Sequence, residues 1–297
     1  MLRQILVLLV VVLVNVQWIS AQGETSLYLL NLAKSPDNGY HVYGAKFLSG
    51  FNRGGYTNQP FFTPTGDILV SVRKANEAQN DIWLLSTATK KCRPLTKTLA
   101  NEYSPQLQST GDYYSVVRQV EGDPINQQVF RFPVRGGSYE SITPDIKDIG
   151  YYAWLTTSDL AIYRIEGETN RLMMYSPINK KSKQITSSVG RTLVSDGLGS
   201  LYYVHKFSET YWYIKKFNEK ATVIDVIAET PAKSEDFAIA PDGTFFMGKD
   251  QKLMYLVPGG QATWKECGDL SMYGIHHISR MAISKDGKQL ALVATKE

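Results

Sequence analysis

The chain has 297 residues, 32 Lys+Arg against 28 Asp+Glu for a formal net charge of +4, and 43% hydrophobic with 11% aromatic residues. So small a basic excess argues against nucleic acid as a partner. With a leader removed, the length suits one domain of repeated units and leaves no room for a second.

The first 21 residues read as a leader outside the fold. Arg3 supplies a positive start, Ile5 to Val14 an apolar run of 10 residues, and Ile19-Ser20-Ala21 a small-residue cleavage site. The run is too short to span a bilayer, which needs ~20 apolar residues, and no cysteine follows it to carry a lipid anchor. The expected product is periplasmic or secreted and starts near Gln22. It keeps 276 residues and a net charge of +3, because Arg3 leaves with the leader.

After the leader one phrase recurs: a short apolar run, a Gly/Asp turn, a second apolar run, then a run such as Asp81–Leu85 closed by a basic turn. The turns centre on Gly66, Gly111, Ser158, Gly197, Gly243 and Gly287, at steps of 45, 47, 39, 46 and 44 residues. Four short strands per ~40–45 residues is the signature of a propeller blade. The predicted fold is therefore all-β, a six-bladed β-propeller filling residues 22–297.

Blade one is predicted over Pro60–Thr63, Ile68–Val72, Asp81–Leu85 and Arg93–Thr96. Blade two runs from Tyr103 to Thr143, blade three from Tyr151 to Thr186, blade four from Arg191 to Ala228, and blade five from Glu235 to Gly268. The chain then has only two strands left, Arg280–Ser284 and Gln289–Thr295. Ser26–Leu32 and Val42–Leu48 supply the missing half, so N- and C-terminal strands close the last blade and hide its edges. Cys92 and Cys267 fall in blades that are not neighbours and are expected to stay separate thiols.

In such a ring the turns joining first to second and third to fourth strands lie on one face. The third-to-fourth turns carry Lys34, Lys90, Lys91, Arg135, Lys180, Lys181, Lys183 and Lys220, so that face is expected to be basic. Lysines there serve solubility and blunt edges, or attract an anionic envelope surface. The other connections surround the mouth of the central channel. Aligned on the turns, the mouth position of each inner strand reads Gln59, Ser104, Tyr152, Arg191, Asp236 and Arg280. The preceding position reads Asn58, Tyr103, Tyr151, Gly190, Glu235 and Ser279. Arg191, Asp236 and Arg280 occupy consecutive blades. They either plug the channel as an ion-pair network or leave spare guanidinium donors for a carboxylate, phosphate or peptide C-terminus. Tyr152, Gln59 and Asn58 are then the pocket walls. Tyr202-Tyr203 and Tyr211-Trp212-Tyr213 read as packing between blades, whereas Tyr151 and Tyr152 are placed at the mouth.

No G-x-S-x-G, H-E-x-x-H or C-x-x-C pattern occurs, and Gly197-Leu198-Gly199 reads as a hairpin turn, not a phosphate loop. The segments QPFFTPTGD (59–67), EYSP (102–105), GYYAW (150–154), GRTL (190–193), SEDFAIAPDG (234–243) and SRMAISKDG (279–287) resemble the TolB-like propeller repeat of exported bacterial proteins, and more narrowly a single-domain group of them. The resemblance covers nearly the whole chain after the leader and implies the fold, not an activity. TolB itself carries an α/β domain before its propeller, on which it docks partners, and related peptidases add a hydrolase domain; neither addition is expected here. The expected role is non-enzymatic: a scaffold, monomeric and without cofactor, binding a partner protein or a small acidic or peptide-like ligand at the mouth. The competing reading is a metal-dependent lactonase or a polysaccharide lyase. Sugar lactonases on six-bladed propellers hold a divalent cation at the channel, and Asn58, Glu102, Glu235, Asp236 and His277 would form such a set. Arg191 and Arg280 would repel that ion.

Overall fold

The computed structural model describes residues 23–36, 39–167, 169–221, 223–231, 233–259 and 263–295. The leader and the expected start at Gln22 lie outside the described residues. Among those described, 24 strands form six four-stranded antiparallel sheets. The first sheet in the ring holds β3 (Tyr56–Phe62), β4 (Ile68–Arg73), β5 (Asp81–Leu85) and β6 (Cys92–Pro94). The second holds β7 (Glu102–Leu107), β8 (Tyr113–Val120), β9 (Asp123–Pro133) and β10 (Glu140–Ser141). The third holds β11 (Ile149–Trp154), β12 (Leu160–Glu166), β13 (Thr169–Ser176) and β14 (Lys181–Ser187). The fourth holds β15 (Val189–Ser195), β16 (Ser200–Lys206), β17 (Trp212–Asn218) and β18 (Ile224–Glu229). The fifth holds β19 (Phe237–Ile239), β20 (Phe245–Lys249), β21 (Lys252–Leu256) and β22 (Lys265–Asp269). The sixth is composite, ordered β2-β1-β24-β23, from β1 (Thr25–Lys34), β2 (Tyr40–Phe47), β23 (His277–Ile283) and β24 (Gln289–Thr295). The protein is an all-β, six-bladed propeller.

The strands are apolar on both faces because every blade is flanked by two others. In β24, Leu290, Leu292 and Ala294 face the fifth blade while Ala291 and Val293 face the first. In β16, Leu201 and Tyr203 pack toward the third blade, and Tyr202 and Val204 toward the fifth. Side chains of period two thus fill six separate cores, one at each blade interface. Tyr203 belongs to this packing, as expected, while Tyr211 is exposed.

The ring is shut by the composite blade. Thr25 pairs with Thr295 and Asn31 with Gln289 across the β1–β24 seam. Lys34 and the Tyr40 hydroxyl both reach Asp242 of the fifth blade, at 2.7 and 2.9 Å. Lys34 is therefore not a spare charge of the basic face; Lys90, Lys91, Arg135, Lys180, Lys181, Lys183 and Lys220 are exposed there. Cys92 and Cys267 are free thiols. Gly197 and Gly199, with φ of 71° and 101°, turn the β15–β16 hairpin.

Candidate functional site at the channel mouth

Each inner strand ends where a backbone N–H closes the hairpin turn, at Thr63, Gln108, Leu155, Asp196, Ala240 and Ser284. Four residues back from these points the row reads Gln59, Ser104, Tyr151, Thr192, Asp236 and Arg280. Register shifts near this level interrupt five of the six inner pairings: Asn58/Phe61, Tyr103/Gln106, Ile149/Tyr151, Val189/Leu193 and Ile278/Arg280. Such bulges re-aim side chains at barrel and propeller rims. Gln59 and Ser104 hold left-handed backbone there (φ 55° and 50°), and Gln59 Oε1 accepts the Ser104 N–H at 2.8 Å.

Two expected positions change. Tyr152 is not a wall of the mouth: its side chain is 2% exposed, packed with Val129, Ile149 and Ile162, and its hydroxyl donates to Ser115 Oγ at 2.7 Å. The blade-three bulge ends at Tyr151, so Tyr151 takes the mouth position and Tyr152 points into the blade interface. In the fourth blade Thr192 stands on the row and Arg191 one residue outside it. Asn58 is 8% exposed and uses Oδ1 to accept the Gln59 N–H at 2.7 Å, so it shapes the strand more than the pocket.

The central trio does meet. Asp236 Oδ2 accepts from Arg191 Nε at 3.0 Å and Nη2 at 2.5 Å, and Oδ1 accepts from Arg280 Nη1 at 2.6 Å and Thr192 Oγ1 at 2.7 Å. Burial alone would raise the Asp236 pKa, but Arg280 and Arg191 outweigh it and hold the carboxyl below its usual range. Burial likewise works to lower Arg191, and Asp236 overrides it, raising the guanidinium further. Neither group can exchange a proton near neutral pH. Around this pair, Arg191 Nη2 donates to Ser279 O at 3.1 Å, and the Arg280 guanidinium lies 4.7 Å from the Tyr151 ring centre. Glu235 joins Arg191 Nε at 3.2 Å to Lys206 Nζ at 2.7 Å. Gly190 lets Glu235 lie this close, since a Cβ there would stand 3.2 Å from Glu235 Cβ. Lys206 carries no signal in the inner-strand alignment because it ends β16, where only the fold brings it to the mouth.

The cluster caps a channel of about 690 Å³ lined by all six inner strands. A smaller cavity of about 400 Å³ lies behind Arg191, among Lys233, Glu235, Lys249, Asp250 and His277. The residues weighed as metal ligands form no single ligand set, although Glu235, Asp236 and His277 all border this smaller cavity. Glu102 is wholly buried against Thr98 and Arg118, Asp236 is occupied by guanidinium, and His277 is exposed at the start of β23. Among the described residues no three His, Cys, Asp or Glu side chains are grouped to hold a metal ion.

Fold and site thus define a six-bladed propeller whose channel mouth carries an Arg–Asp–Arg bridge. Among solved structures the chain is similar to the putative TolB from Agrobacterium tumefaciens (12% identity, TM-score 0.66, 93% of this chain and 99% of that one). It is also similar to TolB from Acinetobacter baumannii (13% identity, TM-score 0.57), covering 91% of this chain but 64% of that one. An oligogalacturonate lyase in complex with manganese matches at 13% identity and TM-score 0.52, over 89% of this chain and 77% of that one. These likenesses show a TolB-like propeller fold. No protein-family model and no curated protein matches the chain.

Proposed function

We propose that the protein is an exported, non-enzymatic binding propeller that receives an anionic group, a carboxylate or phosphate of a small ligand or partner protein, at the channel mouth. The observation that supports this is a surplus of donors. Both oxygens of Asp236 are engaged, while Arg191 Nη1 and Arg280 Nε and Nη2 donate to no described protein acceptor. Guanidinium forks in a partly dry funnel suit bidentate capture of a carboxylate or phosphate. Three cations (Arg191, Arg280, Lys206) meet two carboxylates (Asp236, Glu235), so the cluster is net positive and an incoming anion completes it. The expected leader places this activity in the periplasm or outside the cell. A metal-dependent lactonase or lyase reading draws no support from the geometry, because the carboxylates at the mouth already face guanidinium and ammonium groups.

The test is affinity capture from native envelope extract with the double variants Arg191→Ala/Arg280→Ala and Arg191→Lys/Arg280→Lys. Alanine leaves Asp236 buried and unpaired, at ~3–5 kcal/mol, so the lysine pair serves as the folded control that keeps charge and loses the fork. Capture should fall at least tenfold in the lysine pair; capture at the wild-type level by that folded protein removes the reading.

A further inference from the structure

The wall of the channel below the mouth differs from the mouth itself. Its half-buried lining side chains include Pro60, Trp154, Leu193, Ile239, Met281 and Ile283. Several polar side chains at the same depth donate to neighbouring backbone. Gln106 Nε2 donates to Tyr152 O at 2.7 Å, Gln108 Nε2 to Thr157 O at 3.3 Å, and Ser195 Oγ to Leu155 O at 3.4 Å. Trp154 Nε1 donates to Ser115 Oγ at 2.9 Å. These bonds tie β7 and β15 to the third blade and β11 to the second, and turn those donors away from the lumen. A cavity of about 690 Å³ falls in the usual range for small-ligand sites, which are mostly apolar with a few fixed polar groups.

From this contrast we infer that the ligand is a single-chain amphiphile. Its anionic head sits on Arg191 and Arg280, and one alkyl tail runs down the apolar channel toward the hairpin turns. The inference rests on the proposed anion site and adds the chemistry of what the anion is attached to. The tail has a built-in ruler. From Gln59 to Thr63 the inner strand rises ~13 Å, so affinity should stop rising once the tail exceeds that depth.

The experiment is calorimetric titration of the full chain with n-alkyl carboxylates from butanoate to dodecanoate, each below its micelle-forming concentration. A parallel series of n-alkyl phosphates distinguishes a fatty-acid head from a lysophospholipid-like head. Affinity should rise about fourfold per methylene, level off at the longest tails, and fall at least tenfold throughout with Arg280→Lys. A second variant, Ala282→Phe, narrows the lumen at a lining position of β23. It should shorten the longest tail accepted and leave butanoate binding unchanged. A flat series that still depends on Arg280 would overturn the tail while leaving the anion site intact. Equal binding of alkyltrimethylammonium would overturn the head assignment. No binding of either series at millimolar concentration would overturn the amphiphile, the capture experiment above then judging the mouth on its own.

Discussion

Glu102 and Asp236 are both carboxylates withdrawn from water, with side chains 0% and 8% exposed, yet their surroundings drive them in opposite directions. Asp236 meets two forks at hydrogen-bonding distance and stays ionised. Its contribution to stability is present above the ordinary carboxylate range and is lost as pH falls through its depressed pKa. Glu102 has Arg118 Nε at 3.5 Å, too far to bond; Arg118 Nε and Glu102 Oε2 are both buried without a partner. Burial, aided by nearby Asp81, therefore outweighs Thr96, Thr98 and Arg118, and Glu102 is pushed up to about 7. Between the unfolded value near ~4.3 and about 7 the native state holds the extra proton. Stability should fall as pH rises through that window, by about 4 kcal/mol. Glu102→Gln should flatten this slope in denaturant midpoints measured from pH 4.5 to 7.5. The same slope in the variant would show that another group carries it.

At the scale of strands, what was legible and what was not divides at the bulges. Arg191, Asp236 and Arg280 were readable as a group because they are 45 and 44 residues apart, one blade step each. Tyr152 leaves the mouth row because the bulge in β11 moves the side-chain alternation by one residue, and the aromatic pair Tyr151-Tyr152 gives no compositional hint of which ring faces the lumen. Counting back the same distance from every turn finds Tyr151. Glu235 was legible as a mouth residue but not as the link to Lys206, since that contact joins an inner-strand start to the end of a second strand. Close approach between blades has its own marker. A Cβ on Gly248 of β20 would lie 2.6 and 2.7 Å from Ile278 Cβ and Cγ2, well inside contact distance. Gly248→Ala should force β23 away from β20 and cost ~1–3 kcal/mol. Thermal melting of the variant checks this; an unchanged midpoint would mean the two strands slide freely.

For the whole molecule, stability is divided among six interfaces and depends on one seam. β1 places Leu27 and Leu29 in the interface with the first blade and Leu30 and Leu32 in that with the fifth. At ~1.5–3 kcal/mol for each fully buried leucine, removing residues 23–34 forfeits roughly 6–12 kcal/mol, which is the size of a typical domain's entire stability. It also bares the edge of β24. Such a deletion should yield aggregated or non-cooperatively unfolding protein; a sharp two-state transition in the truncated chain would refute closure as the keystone.

Because Thr25 lies opposite Thr295, the two sides of this seam are the earliest and the latest parts of the ring to leave the ribosome. The first hairpin must wait with one flank bare until nearly every other residue has been made. If the chain crosses a membrane unfolded, as the expected leader would require, that flank crosses ahead of its mate. The ring is then completed only once β24 has crossed, and whatever shields β1 in the interval acts as part of the assembly of this protein.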